Sequence, residues 1–245
     1  MVAHRGASAT EPENTLRSFE TAVSVGADAV EFDVRLTADG HAVVMHDATV
    51  DRTTDGSGLV RSMTLAALQR LRIVGSDLRV PTLDETLRSL SGRMAVDIEI
   101  KNIPGEPDFD AQDEPAVAAT LAALHRTAFV GPVMVSSFNP LSIALARASE
   151  PDLPTGLLTI EEIEAPVALA FAREHGHPWV LPAAARVMAA GDAVCVQAHE
   201  SGMRVGTWVV DDPARGVAMF LGGVDAVATN DPAALAEAWR SHGAG

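Results

Sequence analysis

Short apolar runs alternate along this chain with longer stretches in which apolar positions recur every three or four residues. The runs are Met1–His4, Ala29–Leu36, Met94–Lys101, Val133–Phe138, Thr155–Leu158, Trp179–Pro182, Val205–Val210 and Ala226–Thr229. Their length and apolar content predict strands, and the intervening periodicity predicts helices. The helical stretches are Asn14–Val25, Thr82–Leu90, Pro115–Ala128, Pro140–Ala148, Val167–Glu174, Asp192–Ser201, Pro213–Leu221 and Pro232–Ser241. Eight strands, nearly all followed directly by one helix, predict an α/β fold: a closed parallel (β/α)₈ TIM barrel. A doubly wound open sheet lacks support, because no G-x-G-x-x-G motif opens the first helix.

The regular alternation breaks once. After Ala29–Leu36 comes the turn Thr37-Ala38-Asp39-Gly40 and a second apolar run, His41–His46, which reads as a hairpin-like extension. A polar, Gly-rich loop (Asp51–Gly58) and a short helix near Leu65–Leu71 follow. We expect one domain over 1–245, with a small insertion after the second strand at about 46–79. Asn14 is expected to cap the first helix, and Asp84 and Glu85 suit the start of theirs.

Composition narrows the classes. Hydrophobic residues form 47% of the chain and aromatics only 4%, so the core must be chiefly aliphatic. A net charge of −15 excludes a general nucleic-acid surface and gives an anionic substrate no favourable overall field. Phosphate affinity would need a local metal ion and a few placed cations. The single Cys195 forms no internal disulfide and sits in an apolar stretch, as a core residue would. No run reaches the roughly 20 apolar residues of a membrane span, and Met1 precedes no signal-peptide pattern, so a cytoplasmic protein without stable membrane insertion is expected.

The reactive face of a parallel barrel is the carboxyl end of its strands, and four apolar runs end there in ionisable groups. His4-Arg5-Gly6 closes the first, offering a proton-transfer group and a planar fork that matches phosphate oxygens. Glu31 and Asp33 share one side of the second strand, because residues i and i+2 do. His46-Asp47 ends the extension strand. Asp97, Glu99 and Lys101 share one face of the third strand. Crowded carboxylates inside a barrel resist desolvation and repel each other, and a divalent cation removes both difficulties. The competing structural account is an ion-pair network with Arg35, which has the parity of Glu31 and Asp33, or with Lys101. Three oxygen ligands from Glu31, Asp33 and Glu99 suit Mg²⁺ or Ca²⁺. Zinc, which usually draws on His or Cys, fits less well once both histidines are assigned to proton transfer.

These residues resemble the glycerophosphodiester phosphodiesterase family. The resemblance runs through His4-Arg5-Gly6, Pro12-Glu13-Asn14-Thr15, Glu31-Phe32-Asp33-Val34, His46-Asp47, Asp51-Arg52-Thr53-Thr54 and Gly56-Ser57-Gly58. It continues through Pro81-Thr82-Leu83, Glu99-Ile100-Lys101, Ser137-Phe138, Thr207-Trp208-Val209 and Thr229-Asn230-Asp231-Pro232. It implies a (β/α)₈ barrel with an insertion after the second strand, and hydrolysis of glycerophosphodiesters to glycerol 3-phosphate and an alcohol. By motif, it implies His4 and His46 as the acid/base pair, and Glu31, Asp33 and Glu99 as ligands of one divalent cation. Arg5 and Lys101 would bind the phosphate. It also implies attack by the neighbouring glycerol hydroxyl, through a cyclic phosphate that water opens.

Phe138 and Trp208 are expected to pack against the glycerol. The sequence departs from the family pattern Trp-Thr-Val-Asn at Trp208-Val209-Val210-Asp211, which puts a negative charge near the site and leaves the choice of leaving group open. Two rival readings keep the fold: a lysophospholipase D-like phosphodiesterase, and a catalytically idle barrel that binds a phosphodiester. The expected partner is a small-molecule glycerophosphodiester; oligomeric state is not encoded in any pattern found.

Overall fold

The computed structural model describes residues 1–110 and 113–243. In chain order the elements are β1 (Val2–His4), α1 (Leu16–Ser24), β2 (Ala29–Leu36), β3 (Ala42–Val44), α2 (Leu65–Leu68), α3 (Leu83–Leu90) and β4 (Ala95–Ile100). Then come α4 (Pro115–Thr127), β5 (Val133–Ser137), α5 (Pro140–Ser149), β6 (Thr155–Thr159), α6 (Ala165–Glu174), β7 (Trp179–Pro182) and α7 (Ala184–Ala190). The chain ends with α8 (Ala193–Glu200), β8 (Arg204–Thr207), α9 (Pro213–Leu221), β9 (Ala226–Thr229) and α10 (Pro232–Gly243).

β1, β2 and β4 to β9 pair in parallel in the order β1-β9-β8-β7-β6-β5-β4-β2, and β1 pairs with β2 to close the ring. This is the (β/α)₈ TIM barrel expected from the alternation of short and long periods. β3 runs antiparallel to the upper end of β2, Val34 opposite Val44, on the edge that β1 leaves beyond His4. A second helix, α7, follows β7, where the sequence pattern marked only the later helix at Asp192–Ser201. β8 ends at Thr207, three residues before the expected limit of Val210. No helix among the described residues is long and apolar enough to cross a membrane.

The two faces of each strand do different work. Val30, Phe32 and Val34 of β2 and Val96, Ile98 and Ile100 of β4 are almost wholly buried against the helix layer with Phe19, Ala22, Leu83 and Leu87. The Phe19 and Phe32 rings meet at 5.6 Å. Burying such a side chain stabilises the fold by about 1.5–3 kcal/mol. The alternate positions, Glu31, Asp33, Asp97 and Glu99, are thereby left to face the barrel interior.

Local signals set the helix starts. Thr82 and Glu85 form a reciprocal capping box at α3, where Glu85 Oε2 accepts from Thr82 N at 2.9 Å. At α1 the cap is Thr15, boxed with Ser18, and not Asn14 as expected. Asn14 instead adopts a left-handed φ of 56° and turns its amide toward the barrel. Between Asp47 and Val80 the chain carries its own apolar cluster: Val50, Val60, Leu68, Ile73 and Val80 pack with Val43 and Met45 of the extension.

Candidate active site

Register brings the ionisable groups together. His4 lies beside Glu31 across β1 and β2, and across β2 and β4 Glu31 lies beside Asp97 and Asp33 beside Glu99. His4, Arg5, Glu31, His46, Asp97, Glu99, Lys101, Phe138 and Trp208 line one pocket of about 700 Å³ at the carboxyl end of the strands. Its deeper wall is apolar, formed by Val2, Met134, Leu158, Leu181, Ala226 and Ala228.

Oxygens of Glu31, Asp33 and Glu99 lie within 4.8 Å of one another, and all three residues are buried. Asp33 is the best compensated. Its Oδ2 accepts from Asn14 Nδ2 at 2.7 Å and faces Arg5 Nε at 3.3 Å, while its Oδ1 lies 3.6 Å from Lys101 Nζ. Burial alone would raise its pKa, yet Lys101, His46, Arg5 and the Asn14 amide together hold it down to about 2. Glu99 accepts from Lys101 Nζ at 2.8 Å, but burial still lifts it above the ordinary carboxylate range. Glu31 is pushed well above that range by burial and by the charges of Asp33 and Glu99. Its Oε2 accepts the Arg5 backbone N–H at 2.9 Å. Its Oε1 is buried with no hydrogen-bond partner among the described residues. Below them, burial takes Asp97 to about 7.

The structural account therefore holds in part: Lys101 pairs with Glu99, whereas Arg35 does not join the carboxylates. Arg35 turns outward to Glu106 at 2.6 Å and Asp108 at 2.8 Å. Two cations, Arg5 and Lys101, face three carboxylates, so negative charge remains, and two buried oxygens, Glu31 Oε1 and Asp33 Oδ1, accept no hydrogen bond among the described residues. Such a cluster is stabilised by a hard cation with oxygen ligands, and these donors fit one.

Both histidines are held by hydrogen bonds at Nδ1. His4 Nδ1 lies 2.8 Å from Asn230 Oδ1, and His46 Nδ1 lies 2.6 Å from Asp47 Oδ1. Burial lowers the pKa of each, the adjacent Arg5 adding to the effect at His4. Their Nε2 atoms are the nitrogens left for chemistry. Asp47 is bound in turn by Arg52 at 2.6 and 3.0 Å, and Arg52 also grips Glu13 at 2.8 and 2.9 Å. Glu13 accepts from Arg5 at 3.1 Å, so Arg5, Glu13, Arg52, Asp47 and His46 form one chain of contacts over the mouth. Arg5 itself has a φ of 56°, and Gly6 follows at 81° against α1. A Cβ at Gly6 would fall 2.3 Å from Ser18 Oγ, so only glycine lets the turn pack there.

Phe138 and Trp208 meet edge to face at 5.2 Å on the pocket wall, with Lys101 Nζ 5.7 Å from the Phe138 ring. Trp208 Nε1 donates to Leu181 O at 2.9 Å, fixing the indole. Asp211, expected to put a negative charge near the site, is hydrogen-bonded behind it to Asn230 and Thr229. Sequence reasoning assigned no role to Asn230, Glu13 or Arg52, and gave Asn14 to helix capping. All four lie in the short motifs quoted above, which was the only signal available for them.

Comparison with known proteins agrees with this geometry. Residues 4–234 match the glycerophosphoryl diester phosphodiesterase family. The chain is 33% identical over 254 residues to the glycerophosphodiester phosphodiesterase of Caldanaerobacter subterraneus subsp. tengcongensis, covering 99% of this chain and 98% of that one. A phosphodiesterase of Oleispira antarctica, solved with the product sn-glycerol-3-phosphate, superimposes with a TM-score of 0.85 at 27% identity, over 97% of this chain and 95% of that one. The glycerophosphodiester phosphodiesterase of Agrobacterium tumefaciens superimposes with a TM-score of 0.81 at 26% identity, over 98% of each chain. With strand ends, carboxylate cluster and full-length similarity in agreement, the chain belongs to the glycerophosphoryl diester phosphodiesterase family and is an enzyme of that activity.

Proposed function

We propose that this enzyme hydrolyses glycerophosphodiesters to glycerol 3-phosphate and an alcohol, with one divalent cation, Mg²⁺ or Ca²⁺, at Glu31, Asp33 and Glu99 and with His4 and His46 as the proton-transfer pair. The observation that carries this reading is the buried trio of carboxylates within 4.8 Å, two of whose oxygens accept no hydrogen bond among the described residues. When bound, the cation supplies positive charge for the phosphoryl oxygens and relieves the repulsion among its ligands.

The chain's own groups do the rest. Arg5 and Lys101 bind phosphate oxygens, Arg5 through its planar guanidinium. One neutral imidazole takes a proton from the attacking hydroxyl, which on a glycerophosphodiester is the neighbouring glycerol hydroxyl. The other enters the step protonated on both nitrogens and gives its Nε2 proton to the departing alcohol oxygen, and the pair, now with their charges exchanged, reverse roles when water opens the cyclic phosphate. Phe138 and Trp208 provide an apolar wall for the glycerol carbons. The whole chain acts as a single unit, with the insertion at about 46–79 holding His46 and Asp47 over the mouth. The apolar wall below the carboxylates supports a second reading, a lysophospholipase D-like activity on substrates that carry an acyl chain.

The test is a product assay on glycerophosphodiesters with choline, ethanolamine, glycerol and inositol head groups, beside a lysophospholipid, each with EDTA, Mg²⁺ or Ca²⁺. Glycerol 3-phosphate formed only in a metal arm supports the proposal. Full activity in EDTA, or cleavage of the lysophospholipid alone, refutes the leading form of it. His46→Ala should lose turnover while metal affinity stays within about twofold; a large loss of affinity would make His46 a ligand instead.

A further inference from the structure

Three strand ends meet behind His4: Ser8 after β1, Asp211 after β8 and Asn230 after β9. Asp211 is exposed, yet its carboxylate is fully engaged. Oδ1 accepts from Asn230 N at 2.8 Å and from Thr229 Oγ1 at 3.2 Å, and Oδ2 accepts from Asn230 Nδ2 at 2.8 Å. A carboxylate offers no hydrogen, so the amino group of the Asn230 side chain must face Asp211 and its oxygen must face the other way. That oxygen lies 2.8 Å from His4 Nδ1 and 2.9 Å from Ser8 Oγ, which also lies 2.7 Å from the His4 carbonyl oxygen. An oxygen opposite Nδ1 requires Nδ1 to carry the hydrogen.

We propose that Asp211 and Asn230 are positioning residues that hold neutral His4 in the tautomer protonated on Nδ1, which leaves the Nε2 lone pair facing the pocket. The inference rests on the reading of His4 as a proton-transfer group, and it assigns the acidic residue at 211 a task other than contact with the leaving group. Opposite Asn230, the asparagine of the family pattern at 211 does not serve in the same way. An asparagine there keeps one oxygen, which the Asn230 backbone and Thr229 claim, and turns its amino group on that of Asn230. The Asn230 amide then flips, presents its amino group to His4 Nδ1 and drives the imidazole hydrogen to Nε2. A carboxylate at 230 facing an amino group at 211 restores every donor and acceptor with the roles exchanged.

The experiment compares wild type, Asp211→Asn, Asn230→Asp and the double variant Asp211→Asn/Asn230→Asp, all metal-loaded and assayed on the best diester of the head-group panel. It adds ¹⁵N spectra of the His4 ring, assigned by difference against His4→Gln. Asp211→Asn is expected to lose kcat roughly 100-fold, in the range of a removed acid–base group, with KM within about threefold. Its His4 signal should move to the Nε2–H pattern, and the double variant should regain both the Nδ1–H pattern and kcat to within about tenfold of wild type. Should Asp211→Asn not fold, Asn230→Ala carries the same test, since it removes the acceptor and leaves Asp211 on Thr229. A His4 signal unchanged in these variants, or a double variant that melts like wild type yet stays as slow as the singles, overturns the relay. A tautomer that shifts while kcat holds upholds the relay and removes His4 from proton transfer, so the two failures are distinguishable.

Discussion

Arg35 Nε donates to the backbone carbonyl oxygen of His46 at 2.7 Å. The same guanidinium reaches Lys101 O at 3.2 Å, so a buried arginine ties together the two strand ends that carry His46 and Lys101. Its charge is met by Glu106 and Asp108, which pins the loop after β4 beside the pocket. Arg35→Met should therefore act twice. It leaves Asp108, a partly buried residue whose side chain is 7% exposed, without its cation, and should cost about 3 kcal/mol in denaturant unfolding, as removal of one partner from a largely covered ion pair does. It should also lower kcat at a temperature where the variant is fully folded, because His46 and Lys101 lose a shared anchor. Unchanged kinetics in folded Arg35→Met would reduce the residue to a structural brace.

The charge imbalance among the carboxylates yields a prediction with opposite signs in two conditions. Without metal, the Glu31 carboxylate is disfavoured by burial and by Asp33 and Glu99. Glu31→Gln keeps an oxygen for the Arg5 N–H and removes the excess charge, so in EDTA the variant should melt above wild type. On adding Mg²⁺ or Ca²⁺ wild type should gain stability, by about 2.7 kcal/mol at one hundred times Kd, whereas the variant should gain almost none. Thermal melts in both conditions check this. A variant that melts below wild type in EDTA, or that keeps the metal-induced gain, contradicts the proposed ligand set.

Why some of this was legible in the chain and some was not follows from the range of each interaction. Glu31 and Asp33, and Asp97, Glu99 and Lys101, declare their common face through the two-residue period of a strand, a local signal that survives without any knowledge of partners. His4 and His46 mark strand ends in the same way. The contact between His4 and Asn230 spans 226 residues and leaves no periodic trace. Asn14 was misread because asparagine before an apolar helical stretch usually caps it; Thr15 takes that role here and frees the amide for Asp33. β8 stops at Thr207 although apolar residues continue: Trp208 lines the pocket, and Val210, whose N–H still donates to Ala228 O at 2.9 Å, is buried in the apolar cluster with Val205 and Val227. Arg35 shares the parity of the carboxylates, but its long side chain carries the charge beyond them to Glu106 and Asp108.

Arg52 offers a test of positioning at small structural cost. It is about half exposed and bridges Asp47, behind His46, to Glu13, behind Arg5. Exposed ion pairs contribute on the order of 1 kcal/mol or less each, so Arg52→Ala should change unfolding stability only modestly. Activity should fall more, by about tenfold or above, as supporting contacts around a reactive site typically cost when removed. Arg52→Lys keeps the charge but cannot hold both carboxylates with a fork, and should recover only part of the loss. High salt should mimic the alanine variant in part, because these contacts face solvent. Steady-state kinetics beside melts of the three proteins decide the matter, and equal losses of rate and stability would argue against a role in the site.

The amino end of the barrel carries a separate, pH-dependent term. His177 is buried where β7 begins, with Nδ1 2.8 Å from Thr155 Oγ1. Burial, together with the charges of Arg147 and His175, lowers its pKa from 6.5 to about 4. A histidine whose folded pKa is depressed favours the folded state most when both states are neutral, above about pH 6.5. As pH falls toward 4 the unfolded chain takes up a proton that the folded chain refuses, and stability is lost across that window. A shift of this size corresponds to about 3 kcal/mol once the window is crossed. The raised carboxyls Glu31, Asp97 and Glu99 work with the opposite sign over part of the same range, so the pH profile of wild type alone does not isolate His177. The difference between wild type and His177→Gln does, because the carboxyls are common to both. Relative to the variant, wild type should be least disadvantaged at pH 7 and should lose ground steadily to pH 4 in urea titrations. A difference independent of pH would mean that His177 is protonated in the folded protein, or that its ring reaches solvent before the barrel unfolds.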